Sequence, residues 1–230
     1  MGSSRRALPD RAMRTVVGVF GVLAALAGME HGAGEILQGP VAPGAPVFRS
    51  WPAYEAFEIL DGEPAFTVLP DLLVSGVATV VVAAMLAAWA VAGVRRRHGS
   101  LGLVALSVLL FVVGGGFGPP LLGMILGVGS SKPAGLPRRP TRASRVMAGV
   151  WPWALGAGVL GYLGLVPGTL VLHGVWGAPS PTFVYGLMVM AFGGVLLALA
   201  GARSRYRLAV WDGAPRALRR SLPFGFQPSN

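Results

Sequence analysis

Long runs of apolar residues constrain this chain more than any other feature. The run from Leu72 to Val94 contains no charged residue, and it exceeds the ~20 residues with which an α-helix crosses a ~30 Å hydrocarbon core. Further runs occupy residues 16–37, 101–128, 146–172 and 183–202. Since a helix satisfies its own backbone polar groups in lipid, the sequence predicts an all-α integral membrane protein.

Composition supports this class and excludes several chemistries. Hydrophobic residues make up 53% of the chain and charged residues 12%, against about a quarter charged in ordinary soluble domains. The chain has no cysteine, which excludes disulfides, thiolate metal sites and cysteine nucleophiles. No GxSxG, P-loop or HExxH pattern is present either. These absences favour a protein that is not an enzyme and has no resident cofactor, although both questions stay open.

The net charge of +10 is distributed in short clusters that flank the apolar runs. Such clusters set orientation by the positive-inside rule and contact anionic lipid head groups. We therefore expect a multi-pass protein of the inner (plasma) membrane that does not bind nucleic acid. The clustered residues are Arg5, Arg6, Arg11 and Arg14; Arg95, Arg96 and Arg97; Lys132, Arg138, Arg139, Arg142 and Arg145; and Arg203, Arg205, Arg207, Arg216, Arg219 and Arg220.

This charge pattern predicts a domain organisation with both termini in the cytoplasm. Residues 1–14 form a basic cytoplasmic N-terminus, 15–202 the membrane domain, and 203–230 an Arg/Pro-rich cytoplasmic tail. Residues 38–71 form an acidic outer loop in which Arg49 is the one basic residue. Within it, the aromatic spacing of Trp51–Leu60 predicts a short helix on the outer membrane interface.

The run at 101–128 conflicts with the charge rule if it crosses the membrane once. A single crossing would place the basic residues of 132–145 and of the C-terminal tail outside. If the run enters and leaves by the same face, every Lys and Arg except Arg49 lies inside. We therefore predict four transmembrane helices plus a re-entrant helical hairpin. The alternative is five transmembrane helices, the third one kinked.

A glycine- and proline-rich stretch in the middle of this run gives a reason for the turn. Glycines favour irregular backbone and prolines remove amide donors, so a continuous helix is disfavoured there. Pro119 and Pro120 suit the first turn of a new helix. The predicted backbone break comprises Gly114, Gly115, Gly116, Phe117, Gly118, Pro119 and Pro120.

The N-terminal run also carries a second interpretation. A basic segment, the apolar stretch Val16–Leu26 and the sequence Ala25-Leu26-Ala27 before Gly28 are similar to a secretory signal with its cleavage site. Apolar character resumes beyond that point, which favours an uncleaved transmembrane helix. Whether the segment is cleaved stays open.

Ionisable residues inside a membrane are costly and are candidates for function. His31, Glu35 and Gln38 stand at i, i+4 and i+7, on one face of the first helix, and Glu30 lies about 100° further round. Asp71 at the start of the second predicted helix and His173 at the end of the fourth belong to the same outer side. The candidate binding residues are Glu30, His31, Glu35, Gln38, Asp71 and His173.

Three interpretations of these residues are open. Carboxylates and imidazoles in a semi-dry cleft can hold a proton or a cation. Alternatively, His31, Glu35 and His173 offer nitrogen and oxygen ligands to a metal or haem. In the third interpretation the residues are structural, with Asp71 capping its helix. The break likewise suits an anion at a half-helix N-terminus, a pore lined by carbonyls, or close helix packing.

Two stretches carry a resemblance to a known group. They are His31–Gly39 (HGAGEILQG) and Val113–Gly123 (VGGGFGPPLLG), together with Pro70. Over about residues 16–128 the chain resembles uncharacterised prokaryotic polytopic membrane proteins. No function is attached to that group, so the resemblance implies none here. It does imply that the two stretches belong together.

The leading functional hypothesis is a small transporter- or channel-like protein for an ion, a proton or a small solute. With so few spans, such a protein is expected to work as a homo-oligomer. A membrane-embedded metal- or haem-binding protein and a structural or assembly subunit are the two alternatives. The sequence does not specify a substrate.

Overall fold

The computed structural model describes residues 8–94, 96–131 and 139–213. Helices dominate this part of the chain, whose strands form one short two-stranded hairpin. Four of its helical segments are long and apolar enough to cross a membrane: Arg11–Gln38, Leu72–Gly93, Arg142–Trp176 and Pro181–Gly213. The predictions of an all-α membrane protein and of four long spans are confirmed.

The described residues form seven α-helices, together with two strands and three shorter helical elements. Helices α1 and α2 are joined by the outer loop, α3 and α4 by the glycine-rich break, and α5 continues through a π-helical segment into α6. The bounds are α1 Leu8–Gln38, β1 Val47–Arg49, a 3-10 helix Glu55–Leu60, β2 Pro64–Phe66, α2 Leu72–Ala88 with a π-turn Trp89–Gly93, α3 Gly99–Val112, α4 Gly118–Ser130, α5 Arg142–Leu163, a π-segment Gly164–Gly168, α6 Thr169–Trp176 and α7 Pro181–Gly213.

Several boundaries differ from the predicted ones. Helix α7 runs on to Gly213, so the predicted limit of the membrane domain at 202 falls inside a helix rather than at the start of the tail. The reason is that residues 203–213 contain neither proline nor, before Gly213, glycine, and arginine is a good helix former. The segment predicted at 146–172 lies within the continuous rod Arg142–Trp176.

Two antiparallel helix pairs contribute much of the core, to which α3 and α4 add buried leucines. Helix α1 packs against α2, and α5 against α7. Glycines mark both crossings: a Cβ at Gly32 would lie 2.8 Å from the carbonyl oxygen of Gly76, and one at Gly194 would lie 2.4 Å from the Cα of Gly158. Only glycine allows the backbones to approach this closely. Helix α1 also contacts α4 and α7, which places it at the centre.

Helices α3 and α4 form an antiparallel hairpin whose turn is the predicted break. A Cβ at Gly123 would meet Ser107, and one at Gly127 would meet Val104 and Ser100, so the two ends of the hairpin lie side by side. Trp89 Nε1 donates to the carbonyl of Gly99 at 2.9 Å, which fixes those ends at the C-terminal end of α2. The turn therefore lies at the opposite end of the bundle.

The outer loop folds back over this turn. Strands β1 and β2 pair antiparallel, and the side chains of Arg49 and Asp61 form an ion pair beside them. The backbone N–H of Val68 donates to Val112 O at 3.1 Å, so the loop covers the tip of the α3–α4 hairpin. Of the short helix predicted at Trp51–Leu60, only Glu55–Leu60 is helical, as a 3-10 helix. Trp51 lies before it and stacks on Phe57 with 5.0 Å between ring centroids.

Several predicted topology determinants lie outside the described residues. They are Arg5 and Arg6 of the N-terminal segment, Arg95, Lys132 and Arg138 of the inner clusters, and Arg216, Arg219 and Arg220 of the tail.

Candidate functional site

The glycines of the α1 stretch His31–Gly39 bring two other elements against it. Gly32 faces α2, as described above. A Cβ at Gly34 would lie 2.4 Å from the carbonyl oxygen of Ser50 and 2.8 Å from the ring of Trp51, so this glycine admits the outer loop. Gly39 ends the helix in the left-handed conformation, with φ +82. The stretch therefore spaces its polar residues and makes room for their partners.

Gln38 fastens the outer loop to α1. Its Nε2 atom donates to the carbonyl oxygens of Arg49 at 3.2 Å and of Ser50 at 3.0 Å. The predicted site residue Gln38 is therefore a loop anchor, and it is not part of the carboxylate cluster described next. By holding Ser50 against α1, it also positions the hydroxyl that contacts His31.

His31 lies between two residues of the outer loop. It is 6% exposed, its Nδ1 lies 3.0 Å from Ser50 Oγ, and its Nε2 lies 3.4 Å from Glu63 Oε2. Glu30 completes the group, since one ligand atom from each of Glu30, His31 and Glu63 lies within 4.8 Å of the others. Among the described residues, this trio is the group of His, Asp or Glu side chains that lie close enough to share one ion.

Glu63 is placed by a tight backbone turn. Asp61, Gly62 and Glu63 all have positive φ angles, of 52, 68 and 53, and they reverse the chain after the 3-10 helix. The N–H of Ser50 donates to Glu63 O at 3.1 Å. This backbone hydrogen bond ties together the two loop residues that contact His31, so the loop presents them as one unit.

Glu35 lies one turn further along α1, against the break rather than the loop. It is 0% exposed, and a Cβ at Gly114 would lie 2.4 and 2.5 Å from its two carboxylate oxygens. Neither oxygen has a hydrogen-bond partner among the described residues. The Ser75 hydroxyl is a neighbour, but it donates to Val113 O at 2.6 Å. A buried carboxylate without partners is a costly arrangement.

Hydroxyl groups of α2 form hydrogen bonds with the backbone just before the break. Val113 O accepts from Ser75 Oγ and, at 2.7 Å, from Thr79 Oγ1. These bonds satisfy a carbonyl that the end of α3 leaves without a helical donor. Gly114 and Gly116 then take positive φ angles of 119 and 70, and a Cβ at Gly116 would lie 2.2 Å from His31 Nε2.

The remaining residues of the break restart the helix. Helix α4 begins at Gly118, with Pro119 and Pro120 in its first turn, as the sequence predicts. Gly115 N donates to Leu110 O at 2.8 Å. Phe117 packs edge-on against Phe111, with ring centroids 5.4 Å apart. The two sequence stretches therefore meet: Glu35 lies against Gly114, and His31 lies against Gly116.

Asp71 and His173 lie apart from both groups. Asp71 Oδ1 accepts from the N–H of Val74 at 2.9 Å and caps α2, which is the structural role considered for it. His173 is half-buried in the last turn of α6. The metal-binding alternative of His31, Glu35 and His173 is not among the groups that could share an ion within the described residues.

Sequence reasoning missed Glu63, Ser50, Ser75 and Thr79. Ser75 and Thr79 left a usable signal, because hydroxyl residues at i and i+4 in an otherwise apolar helix mark a face with polar partners. Glu63 and Ser50 left none, since each is an ordinary loop residue until the β-hairpin brings it to His31.

No protein-family model, curated protein sequence or solved structure gives a significant match to this chain. Its function therefore has to be inferred from the geometry of these residues.

Proposed function

We propose that this chain is a small transporter- or channel-like membrane protein that moves a proton or a small cation by way of Glu35. One observation carries the proposal: both oxygens of a fully buried carboxylate lack hydrogen-bond partners among the described residues. An isolated carboxylate in a low-dielectric interior costs many kcal/mol. A proton or a cation must therefore accompany it, and a group that has to be neutralised by a mobile charge is suited to exchange that charge.

The broken backbone beside Glu35 supports this role. Helix α3 ends at Val112 and α4 starts at Gly118, so irregular backbone faces the carboxylate at Gly114. Such breaks are tolerated at membrane depth where they are buried in protein or line a cavity. In secondary transporters the ends of half-helices contact the substrate and the coupling ion. The proposed path of the cation runs along this break.

A specific orientation is part of the proposal. Both ends of the α3–α4 hairpin would lie on the cytoplasmic side of the plasma membrane, together with both termini, so that the hairpin is re-entrant. The basic clusters at either end of the hairpin support this arrangement. The tip and Glu35 then lie towards the outer face, beneath the loop.

The proposed partners are anionic lipids and further copies of the chain. A groove of about 630 Å³ lies between α4 and α7. Its walls are apolar, and Arg203 and Arg207 contribute to its lining. An acyl chain with an anionic head group matches this combination. A homo-oligomer is proposed because four spans are few for a complete transport path.

Proteoliposomes test the proposal directly. Vesicles containing the purified protein and the pH dye pyranine are given a K⁺ gradient, and valinomycin starts the measurement by creating a membrane potential. We expect proton entry well above that of protein-free vesicles, and a loss of at least about tenfold in Glu35→Gln, which keeps the shape of the side chain and removes its charge. Parallel vesicles measure ²²Na⁺ uptake, in case a metal cation replaces the proton.

The matched control is Glu55→Gln. Glu55 is an exposed acid of the 3-10 helix and has no place in the proposed path, so its flux should equal that of the unmodified protein. If proton and ²²Na⁺ fluxes of the unmodified protein equal those of empty vesicles, or if Glu35→Gln retains the full flux, the proposal is wrong.

A further inference from the structure

We infer that Glu30, His31 and Glu63 form a binding site for a divalent transition-metal ion, with His31 Nε2 and one oxygen of each carboxylate as ligands. This inference is independent of the proposed cation movement, since the site lies against the outer loop and uses none of Glu35. The ligands come from two elements, α1 and the turn after the 3-10 helix, so a bound ion would lock the loop onto the helix.

The distance between His31 and Glu63 fits two ligands of one ion better than it fits a direct hydrogen bond. His31 Nε2 and Glu63 Oε2 are 3.4 Å apart, which is longer than the usual N–H···O range of about 2.7–3.2 Å. Two ligands at about 2.1 Å from a tetrahedral ion are about 3.4 Å apart. The third ligand atom, from Glu30, lies within 4.8 Å of the other two, so one ion can reach all three.

Within the part of the chain that the structure describes, two buried carboxylate oxygens of this trio have no hydrogen-bond partner. Glu63 is 9% exposed, and its Oε2 has no hydrogen-bond partner among the described residues. Glu30 Oε1 is buried and also lacks a partner. A divalent ion would satisfy both atoms, and its two positive charges would balance the two carboxylates, so that the complete group is neutral where its parts alone would be costly.

Ser50 supplies the supporting contact that a metal-binding histidine needs. With a hydrogen on Nδ1, His31 donates to Ser50 Oγ at 3.0 Å and keeps the Nε2 lone pair for the ion. Ser50 is itself 0% exposed, and its backbone is bonded to that of Glu63. Such outer contacts fix the orientation of the ring and raise metal affinity 10–100-fold.

The donor set defines the chemical class of the ion. One imidazole nitrogen and two carboxylate oxygens suit Zn²⁺, Mn²⁺ or Fe²⁺, whereas Mg²⁺ and Ca²⁺ prefer oxygen ligands alone. No thiolate is available anywhere in the chain, which disfavours Cu⁺. Three protein ligands leave a fourth position for water, as in open zinc sites.

The experiment uses the full-length protein in detergent, with any affinity tag removed and metal stripped by EDTA. Co²⁺ serves as the first probe, because an ion bound by nitrogen and oxygen in a four- or five-coordinate site absorbs visible light far more strongly than the octahedral aqua ion. We expect saturation at one Co²⁺ per chain, displacement by Zn²⁺, and a higher apparent melting temperature with Zn²⁺ bound. No variant is needed for this part.

Variants then assign the ligands. His31→Gln and Glu63→Gln should each weaken Zn²⁺ binding by at least about a hundredfold, and Ser50→Ala by about tenfold. Glu55→Gln is the matched control and should bind like the unmodified protein. If a glutamine variant does not elute as a single folded species, Glu63→Asp is used in its place. Glu63→Asp retains the carboxylate but has a shorter side chain, and it should bind Zn²⁺ at least about tenfold more weakly than the unmodified protein.

Three outcomes would overturn the site: an unmodified protein that takes up no stoichiometric Co²⁺ or Zn²⁺, a Glu63 variant with unchanged affinity, or a Glu55→Gln variant that loses affinity equally. Because binding is measured in detergent, none of these results depends on whether the protein moves ions across a bilayer.

Discussion

Gly114 and Gly116 each combine two constraints that disfavour any side chain at their positions. Both have φ angles in the left-handed region, where a Cβ is strained. Both also lie against a polar side chain of α1: Glu35 at Gly114 and His31 at Gly116. A side chain at either position would displace the group beside it, so these glycines define the shape of the site as well as the path of the backbone.

We predict that Gly116→Ala destabilises the protein by about 3 kcal/mol, from left-handed strain of about 1–3 kcal/mol and the overlap of its Cβ with His31. The expected fall in apparent melting temperature, followed by tryptophan fluorescence in detergent, is about 5 °C or more. Gly118→Ala is the control, because a Cβ there has nothing within 4 Å. Equal melting temperatures for the two variants would contradict the placement of Gly116.

At the scale of elements, close glycine crossings determine how the helices pack. Gly32 and Gly76 bring α1 and α2 together, and Gly158 and Gly194 do the same for α5 and α7. The first crossing lies beside the site, because Glu35 follows Gly32 on α1 and Ser75 precedes Gly76 on α2. The distance between α1 and α2 therefore controls how well the Ser75 hydroxyl reaches the break.

We expect Gly76→Ala to destabilise the α1–α2 pair by about 2 kcal/mol, within the usual cost of overpacking a filled core. A Cβ there would lie 2.5 Å from Gly32 O and 2.9 Å from the backbone N of Ile36, and backbone cannot move aside cheaply. Gly156→Ala on α5 has open space around it and should be neutral or slightly stabilising, because alanine favours helix. The check is the denaturant midpoint of both variants under identical detergent conditions; equal midpoints would contradict the crossing.

The helices and their break follow from local sequence, whereas half of the site does not. Apolar run length predicts the four long helices, and Gly114–Pro120 predicts the turn, because both effects depend only on residues that are consecutive in the chain. The meeting of Glu63 with His31 depends on the β1–β2 pairing and on positive φ angles at Asp61 and Glu63. Aspartate is enriched at such angles but glutamate is not, so Glu63, the acid of the trio that lies in the loop, had no sequence signature.

At the scale of the whole molecule, the main feature is that the start of α3 and the end of α4 lie at the same end of the helix bundle. Gly99 lies against Gly93 and Val94 at the end of α2. At the end of α4, Ser131 O accepts from Arg203 Nη2 of α7 at 3.1 Å. One end of the bundle thus gathers the start of α3, the end of α4 and the C-terminal half of α7, together with their arginines.

This relation predicts the membrane topology, and the absence of cysteine allows a direct test. Single variants His98→Cys, Ala143→Cys and Ala45→Cys all replace exposed residues. In right-side-out vesicles we expect a membrane-impermeant maleimide to label Ala45→Cys at once. The other two should stay unlabelled until detergent is added, because both would lie on the cytoplasmic side. The unmodified protein serves as the blank.

Other labelling patterns would each indicate a different membrane topology. Protection of His98→Cys with labelling of Ala143→Cys would mean that α3 and α4 together cross the membrane, so that the chain has five crossings and no re-entrant hairpin. Labelling of both, with protection of Ala45→Cys, would mean that the whole bundle is inverted.

The polar face of α1 has a consequence for how the protein is made. The ribosome delivers α1 before the partners of its polar face, which are Ser50 and Glu63 from the loop and then the glycines between α3 and α4. Until the hairpin arrives, the protein surroundings of Glu35 and His31 are incomplete, and a helix carrying them is poorly suited to lipid. Helix α1 must therefore wait in the insertion machinery, or at its edge, for the later segments. A variant in which the break does not pack against α1 would be degraded by membrane proteases. Its first phenotype would therefore be low abundance rather than altered activity.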